Sequence, residues 1–210
     1  TVNGITVMLD SGANSNSKPK HLVQGALMGS EYAKLLLGKE NPTVGLLNIG
    51  EEATKGNEVV LATYPILEKM KTINFKGNVE GRDIPKGVVD VVVCDGFVGN
   101  VVLKFAEGLV TSLTQLIKDS IMSGSIFAKI GAMLIKPALK PIAKKVDHTE
   151  SGGAPLLGVN GVFMISHGSS KAKEIKTAIK IATDLVERKI IEQIRQTVEI
   201  EGAVKYEYDE

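Results

Sequence analysis

The stretch VVDVVVCDGFVGN, residues 88–100, decides the fold. Val88–Cys94 is β-branched and almost wholly apolar, which suits a strand covered on both faces; a strand with one wet face alternates instead. The run ends at Asp95 in a Gly-rich turn, DGFVGN, and a helix is predicted from about Val101. A doubly covered strand that feeds a helix is the building unit of a parallel sheet.

Working outward, the same handover recurs along the chain. Residues 2–9 (VNGITVML) read as a strand ending at Asp10, followed by the loop SGANSNS. Pro19 falls where a helix start tolerates it, and Leu22, Ala26, Ala33 and Leu36 mark a helix that closes near Gly38. Thr43–Asn48 is the next strand and runs into a dense polar knot, IGEEATKGN, residues 49–57. Residues 57–71 read as a helix with Pro65 as a kink or break, and Ile73–Lys76 as a short strand entering GNVEGRD. Val159–Ile165 is predicted as a strand ending in SHGSS. Ile175, Ala178, Ile179, Ala182, Leu185, Val186, Ile194 and Val198 form the stripe of one long closing helix. The alternation predicts a single α/β domain over residues 1–210 with a mostly parallel sheet. Each strand end meets a polar, Gly-rich loop, and in open parallel sheets the carboxyl ends of the strands line the ligand crevice. One shared site is therefore expected along that edge.

Composition narrows the function classes. With 43% hydrophobic and 23% charged residues, a chain of 210 residues can bury a substantial core. Aromatic residues are only 4% and Trp is absent, which argues against a nucleic-acid partner read by base stacking. The net charge of +1 points to no partner. A lone cysteine, Cys94, excludes a disulfide within the chain and any multi-cysteine metal site, so no metal is expected, and a reducing cytoplasm is the default. No secretory signal is visible, and no uninterrupted apolar run reaches the roughly 18 residues of a spanning helix. The best run, Ile130–Ala143, is broken by Lys136, Pro137, Lys140 and Pro141. Thr1 opens almost directly on a strand-like run, as a fragment would.

The strand-end loops carry the candidate chemistry. Lys55, Gly56 and Asn57 open a helix; free N–H groups there favour an anion, glycine allows close approach, and lysine adds a point charge. The plain alternative is a turn with an exposed lysine. No Walker-type Gly-Lys-Ser/Thr spacing occurs, so this is not an ordinary P-loop. Glu51 and Glu52 are adjacent and diverge on regular backbone, which favours a structural role over metal ligation. Arg82 either forks onto a phosphate or pairs with Glu80 or Asp83. Asp95 caps the next helix, binds ligand, or both. His167, beside Ser169 and Ser170, has the natural acid–base chemistry near neutral pH, and Ser170 is a candidate cap for the final helix. His21 and His148 read as structural or surface residues, and Cys94 as buried apolar filler rather than a nucleophile.

Residues 109–146 stand apart as an amphipathic helical excursion. Leu113, Leu116, Ile117 and Ile121 make one stripe, and Ile126, Ile130, Met133 and Leu134 another. From Gly108 to Val146 there are six lysines and a single acid, Asp119. Lys129, Lys136 and Lys140 share a face if the helix survives Pro137. This pattern fits either an anionic membrane surface or acidic partner, or a core or dimer-interface hairpin with solvated lysines.

Four stretches, LVQGALMGSEYA, NPTVGLLNIGEEATKGNE, INFKGNVEGRDIPKGVVDVVVCDGFVGNVVLKFAEGL and SGGAPLLGVNGVFMISHGSS, together resemble the bacterial phosphate acyltransferase (PlsX) family of phospholipid synthesis. The likeness runs in register from about Asp10 to Ala182, while residues 190–210 carry little signal. It implies a Rossmann-like α/β/α sandwich related to isopropylmalate dehydrogenases and phosphotransacetylases, with 109–146 as a protruding hairpin. It also implies transfer of a long acyl chain from acyl carrier protein to inorganic phosphate, without a cofactor. A homodimer, and a cytoplasmic location with peripheral contact to the inner face of the cell membrane, are implied as well. Lys55, His167 and Asn100 are then the expected catalytic residues. Asn14, Asn48, Gly50, Gly56, Asn57, Arg82, Asp95, Gly96, Gly153, Asn160, Ser169 and Ser170 are expected to line the phosphate and acyl site. Lys129, Lys136 and Lys140 are expected to dock on the membrane or carrier protein. An acyl-CoA-dependent phosphotransacetylase-like enzyme and a non-catalytic membrane-docking relative are the competing readings. One departure stands out: the family's N-terminal portion, with a Gly-Gly-Asp loop near the start of the sheet, has no counterpart here, so the sheet is expected to be incomplete.

Overall fold

In the computed structural model, residues 1–146 and 152–202 are described. They form, in order, β1 (Val7–Leu9), α1 (Pro19–Leu37), β2 (Thr43–Asn48), α2 (Glu58–Lys69), β3 (Asn74–Glu80), β4 (Val91–Val93), α3 (Gly96–Ser123), α4 (Ile126–Val146), β5 (Ala154–Pro155), β6 (Met164–Ile165), α5 (Ala172–Glu187) and α6 (Ile190–Gly202). His148 and the C-terminal residues 203–210 lie outside the described residues. The chain divides into two units. One comprises Thr1–Val102, Leu156–Phe163 and Asp184–Glu210, the other Leu103–Pro155 and Met164–Thr183. The excursion expected at 109–146 falls within the second.

The first unit is built on a four-stranded sheet in the order β1-β4-β2-β3, every pair parallel. The mixed α/β architecture with a parallel sheet is the one expected for a Rossmann-like fold. Val91–Val93 lies in the middle, paired with β1 through Leu9↔Val93 and with β2 through Leu46↔Val93. Its three valines are essentially inaccessible, as the unbroken apolar run requires. One face of the sheet, with Val7, Val44, Leu46, Val91 and Val93, packs against Leu22, Ala26 and Leu27 of α1 and Ile66 and Leu67 of α2. Leu22, Leu46 and Leu67 are fully buried, each contributing about 2 kcal/mol of transfer free energy. The other face gathers Leu47, Val79, Val89, Val92 and Cys94, with Met8, Ile84 and Val102 against them. Gly45 sits on this face because a Cβ there would lie 2.6 Å from Val79 Cγ1. The helix α6 is tied to α1 by Thr197, whose hydroxyl donates to buried Glu31 at 2.9 Å, and to the start of β3 through Thr72 and Glu201.

Several boundaries differ from the sequence reading. β1 is shorter than residues 2–9, since residues 1–5 form turns around Gly4. β3 runs on through Gly77 and Asn78, because a bulge against β2 absorbs Gly77 at φ +92° and the ladder resumes at Leu46↔Asn78. α3 starts at Gly96, five residues before Val101. Only Met164 and Ile165 of the strand predicted at 159–165 are extended, in an antiparallel pair with β5. The single closing helix is two, broken where Lys189 takes φ +55°. Pro65 does not end α2.

In the second unit, α3 and α4 follow one another across Gly124 and Ser125. α4 stays helical through Pro137 and Pro141, the condition for Lys129, Lys136 and Lys140 to share a face. Both apolar stripes are open: Leu113 is 50%, Leu116 62%, Met133 73% and Leu134 77% exposed. By length and composition α3 is long and apolar enough to cross a membrane, although charged residues interrupt its apolar run. Its first turns, however, belong to the sheet. Gly96 and Gly99 are buried and Val102 packs on the core, and the remainder carries Lys104, Glu107, Lys118 and Asp119. That distribution describes an amphipathic helix rather than a span.

A Cβ on Gly99 would lie 1.9 Å from the Asp10 carbonyl oxygen, a backbone atom that has no rotamer to escape into. Gly99→Ala is therefore expected to destabilise the chain by at least ~2 kcal/mol, read as a lower midpoint in urea unfolding. Gly108→Ala, where a Cβ meets nothing within 4 Å, should leave that midpoint unchanged or raise it.

Candidate active site

The carboxyl ends of the four parallel strands deliver Asp10, Asn48, Glu80 and the Cys94–Asp95 pair to one edge of the first unit. Asn48 and Asp95 each follow by two residues the paired positions Leu46 and Val93, so they end neighbouring strands. Two loop assemblies occupy this edge.

The first joins the Asp10 loop to the start of α3. Asp10 accepts N–H bonds from Gly12 at 2.9 Å, Ala13 at 2.8 Å and Asn14 at 2.6 Å, curling the loop around its carboxylate. Asp95 accepts from the Ser17 N–H at 2.9 Å with one oxygen and from Phe97 and Val98 with the other, so it caps α3 and anchors the loop together. Burial alone would raise the Asp95 carboxyl, but the bonds from Ser17, Val98 and Phe97 prevail and hold it below the ordinary carboxylate range. Gly96 donates to the Asn14 carbonyl at 3.1 Å and is packed against Asp10. Asn14 Nδ2 donates to His21 Nδ1 at 2.8 Å, and the Lys18 N–H reaches the same nitrogen at 3.1 Å. Two donors on Nδ1 place the ring proton on Nε2, and they make His21 part of the α1 start, a structural place as its sequence context suggested. Asn100 is exposed with its amide beside Gly12.

The second assembly is the knot. Asn48 is buried and closes it from below: Nδ2 donates to the Lys55 carbonyl at 2.9 Å, and Oδ1 accepts the Ile49 N–H at 2.8 Å. Gly56, at φ +108°, passes so close that a Cβ would lie 2.7 Å from Asn48 Oδ1. Asn57 caps α2 by accepting the Val60 N–H at 3.0 Å. Gly50 is buried against the stem of Lys55, and the Lys55 ammonium has no ion-pair partner among the described residues. Glu51 and Glu52 are exposed. Glu52 works through its carbonyl, which accepts from the Lys55 N–H and from Asn78 Nδ2 at 2.9 Å.

Other expected residues are engaged locally. Arg82 takes the intraprotein alternative, a 2.9 Å pair with Glu80. Asn160 accepts from Arg195 at 2.8 Å. The His167 loop and Gly153 belong to the second unit. There His167 Nδ1 lies 2.6 Å from the Ser169 hydroxyl and accepts the Ser169 N–H at 3.2 Å, which places the ring proton on the exposed Nε2. Gly153, at φ +123°, packs on the Ile165 carbonyl. Ser170 does not cap the following helix. The Glu174 carboxylate reaches back to the Lys171 N–H at 2.6 Å, in capping-box fashion, and fills that role. Lys129, Lys136 and Lys140 are exposed.

The sequence reading missed Asn78 and Ser17. Asn78 belongs to the loop GNVEGRD in the sequence pattern, yet it lies in β3, 7% exposed, beneath the knot, with its Oδ1 buried and unbonded. The one cysteine offers no thiolate. Burial, reinforced by Asp10 and Asp95, pushes Cys94 up to about 12, so it is packed as apolar filler. Among the described residues no group of three metal-ligating side chains exists.

A parallel α/β sheet whose carboxyl edge carries Gly-rich polar loops defines an α/β protein of the Rossmann-like class. The chain belongs to the family described as fatty acid synthesis protein, which matches residues 1–193. It is similar to proteins named phosphate acyltransferase. That of Desulfitobacterium hafniense (strain DSM 10664 / DCB-2) is 58% identical over 93% of this chain and 58% of the relative. That of Pelotomaculum thermopropionicum is 54% identical over 95% of this chain and 59% of the relative. That of Picosynechococcus sp. is 50% identical over 92% of this chain and 53% of the relative. The chain thus spans a little under three-fifths of the length of these curated relatives, and the resemblance drawn from its loop sequences is to the same family.

The lowered Asp95 carboxyl sets an acid dependence. A depressed folded-state value contributes stability above the unfolded carboxyl range and loses it as pH falls through the folded value. Wild type and Asp95→Asn should therefore differ most in urea midpoint at neutral pH, and the gap should narrow below about pH 4. A gap independent of pH would show that the anionic cap is not what Asp95 contributes.

Proposed function

We propose that the protein to which this chain belongs transfers an acyl group from the thioester of acyl carrier protein to inorganic phosphate. The observation that supports it most directly is a glycine-rich strand-end edge where Lys55 has no ion-pair partner among the described residues and the one cysteine, Cys94, is held as a thiol. The relatives' name, phosphate acyltransferase, agrees with this chemistry. A phosphate oxygen attacks the thioester carbonyl carbon, the C–S bond breaks, and the hydrogen phosphate proton ends on the departing sulfur. The enzyme's part is to position and partly desolvate the phosphate and to donate to the carbonyl oxygen as it gains charge. Lys55 and the N–H groups around Gly50 and Gly56 hold phosphate. Asn100 is an amide donor for the oxyanion. His167, described within the second unit, carries an exposed Nε2–H whose part in turnover the His167→Ala variant tests.

We further propose that the open stripes of α3 and α4 rest on a second copy of the chain and on an anionic membrane surface at the cytoplasmic face. An apolar band beside Lys129, Lys136 and Lys140 has the composition of an interfacial helix.

In a carrier-protein thiol-release assay of the complete protein, Lys55→Ala and His167→Ala should each reduce phosphate-dependent turnover by roughly 10²-fold or more. Full rate in both would overturn the residue assignment, while turnover of acyl-CoA but not acyl carrier protein would favour a phosphotransacetylase-like donor. Lys129, Lys136 and Lys140 changed together to Glu should abolish sedimentation with anionic vesicles and leave zwitterionic vesicles unaffected. Undiminished sedimentation would remove the membrane reading.

A further inference from the structure

β3 is the outermost strand of the first unit's sheet: β2 pairs with one side of it, and among the described residues no strand pairs with the other. It is seven residues long and offers an added strand a row of backbone N–H and C=O groups. Beside it, between α2 and β3, lies a cavity of about 400 Å³. Tyr64 and Glu68, one turn apart on α2, form one wall, and Phe75, Lys76 and Gly77 of β3 form the other. Tyr64 and Phe75 meet edge to face with ring centroids 5.4 Å apart, so the cavity offers aromatic surface.

The path of the chain, its sequence and its charge point to the same occupant. The Thr72 hydroxyl donates to Glu201, so α6 ends beside the start of β3, and residues 203–210 continue from there. Their sequence, AVKYEYDE, alternates: Val204, Tyr206 and Tyr208 fall on one face of an extended chain, and Lys205, Glu207 and Asp209 on the other. Eight extended residues reach about 26 Å, enough to run the length of β3. Between Ile66 and Val79 the charged residues are Lys69, Lys71, Lys76 and Glu68, all exposed and without an ion-pair partner among the described residues. Residues 203–210 carry the opposite balance, three acids and one lysine.

We propose that residues 203–210 add to β3 as a fifth, parallel strand of this sheet and seat their tyrosines over the cavity. The register that sets Tyr206 beside Phe75 also sets Glu207 beside Lys76 and Tyr208 beside Gly77, whose lack of a side chain leaves room for the ring. Backbone pairing supplies affinity and the alternate side chains supply register, as in other strand additions. The added strand covers an edge that would otherwise pair with a second chain. Residues 203–210 lie beyond residues 1–193, the part that the family matches, so the family does not supply this strand. It depends on neither Lys55 nor His167 and stands or falls separately from the acyl-transfer reading.

The test is amide hydrogen exchange, read by mass spectrometry, of the full chain, of a chain ending at Gly202 and of the free peptide AVKYEYDE. In the full chain residues 203–210 should exchange at least about tenfold more slowly than in the free peptide. Their removal should speed exchange in residues 74–80 by about tenfold, while Val91–Val93 in the middle of the sheet keep their rates. Peptide added to the shortened chain should bind at one site and restore the protection of β3, and it should not bind the full chain. Within the full chain, Tyr206→Ser together with Tyr208→Ser should remove the protection of residues 203–210. Lys76→Glu should reduce that protection, and Glu207→Lys added to it should bring it back. Exchange of residues 203–210 at the free-peptide rate would overturn the proposal, as would β3 rates that neither the shortened chain nor the tyrosine pair alters while circular dichroism stays unchanged. Protection of β3 that follows protein concentration rather than residues 203–210 would also overturn it and assign the edge to a second copy of the chain.

Discussion

The close approach of the α3 start to the end of β1 is the constraint on which the rest of the first unit depends. Gly99 lies so near the Asp10 carbonyl that no side chain fits. The Cys94 thiol donates to the same carbonyl at 3.3 Å, and Asp95 ties Ser17 to the first turn of α3. These contacts lock the central strand, its neighbour and two loops into one arrangement. Because strand ends are shared by a whole parallel sheet, fixing this corner also fixes where Asn48 and the knot emerge beside it.

Polar groups at this edge divide into those that build the loops and those left for a ligand. Asp10, Asp95, Asn48, Asn57 and Asn14 are all engaged in holding backbone or His21, which is why so many short polar side chains cluster there without forming a metal site. Lys55 and Asn100 remain exposed. The loop geometry is therefore held by the chain's own side chains. Asn78 is the exception: its buried, unbonded Oδ1 beneath the knot marks where this edge carries an unmet hydrogen-bonding demand.

The apolar surface outside the sheet follows two different designs. On α3 and α4 the stripes are broad, exposed and flanked by lysines. Between α1 and α6 the apolar groups line a cavity, with Arg195 bonded to Asn160 at its edge. The contrast is one of curvature and charge placement rather than of composition.

The α/β class, the parallel sheet and the strand-end loops were legible from 88–100 and its counterparts, because burial on both faces leaves a continuous apolar signature and Gly-rich loops punctuate it. The candidate cap at Asp95 was readable from residue type alone, as was the inert character of Cys94. What the tertiary structure decided was which polar groups face each other across sequence. It decided that Asn48 turns inward to hold the Lys55 carbonyl, that Asn78 supports the knot, and that Glu174 rather than Ser170 caps α5. It also decided that Arg82 takes Glu80 and that Arg195 meets Asn160. Residue type leaves several local partners open, as at Asn48, Glu174 and Arg82, and packing selects among them; the distant pairs Asn78–Glu52 and Arg195–Asn160 are set by register and packing, which no single stretch of sequence contains.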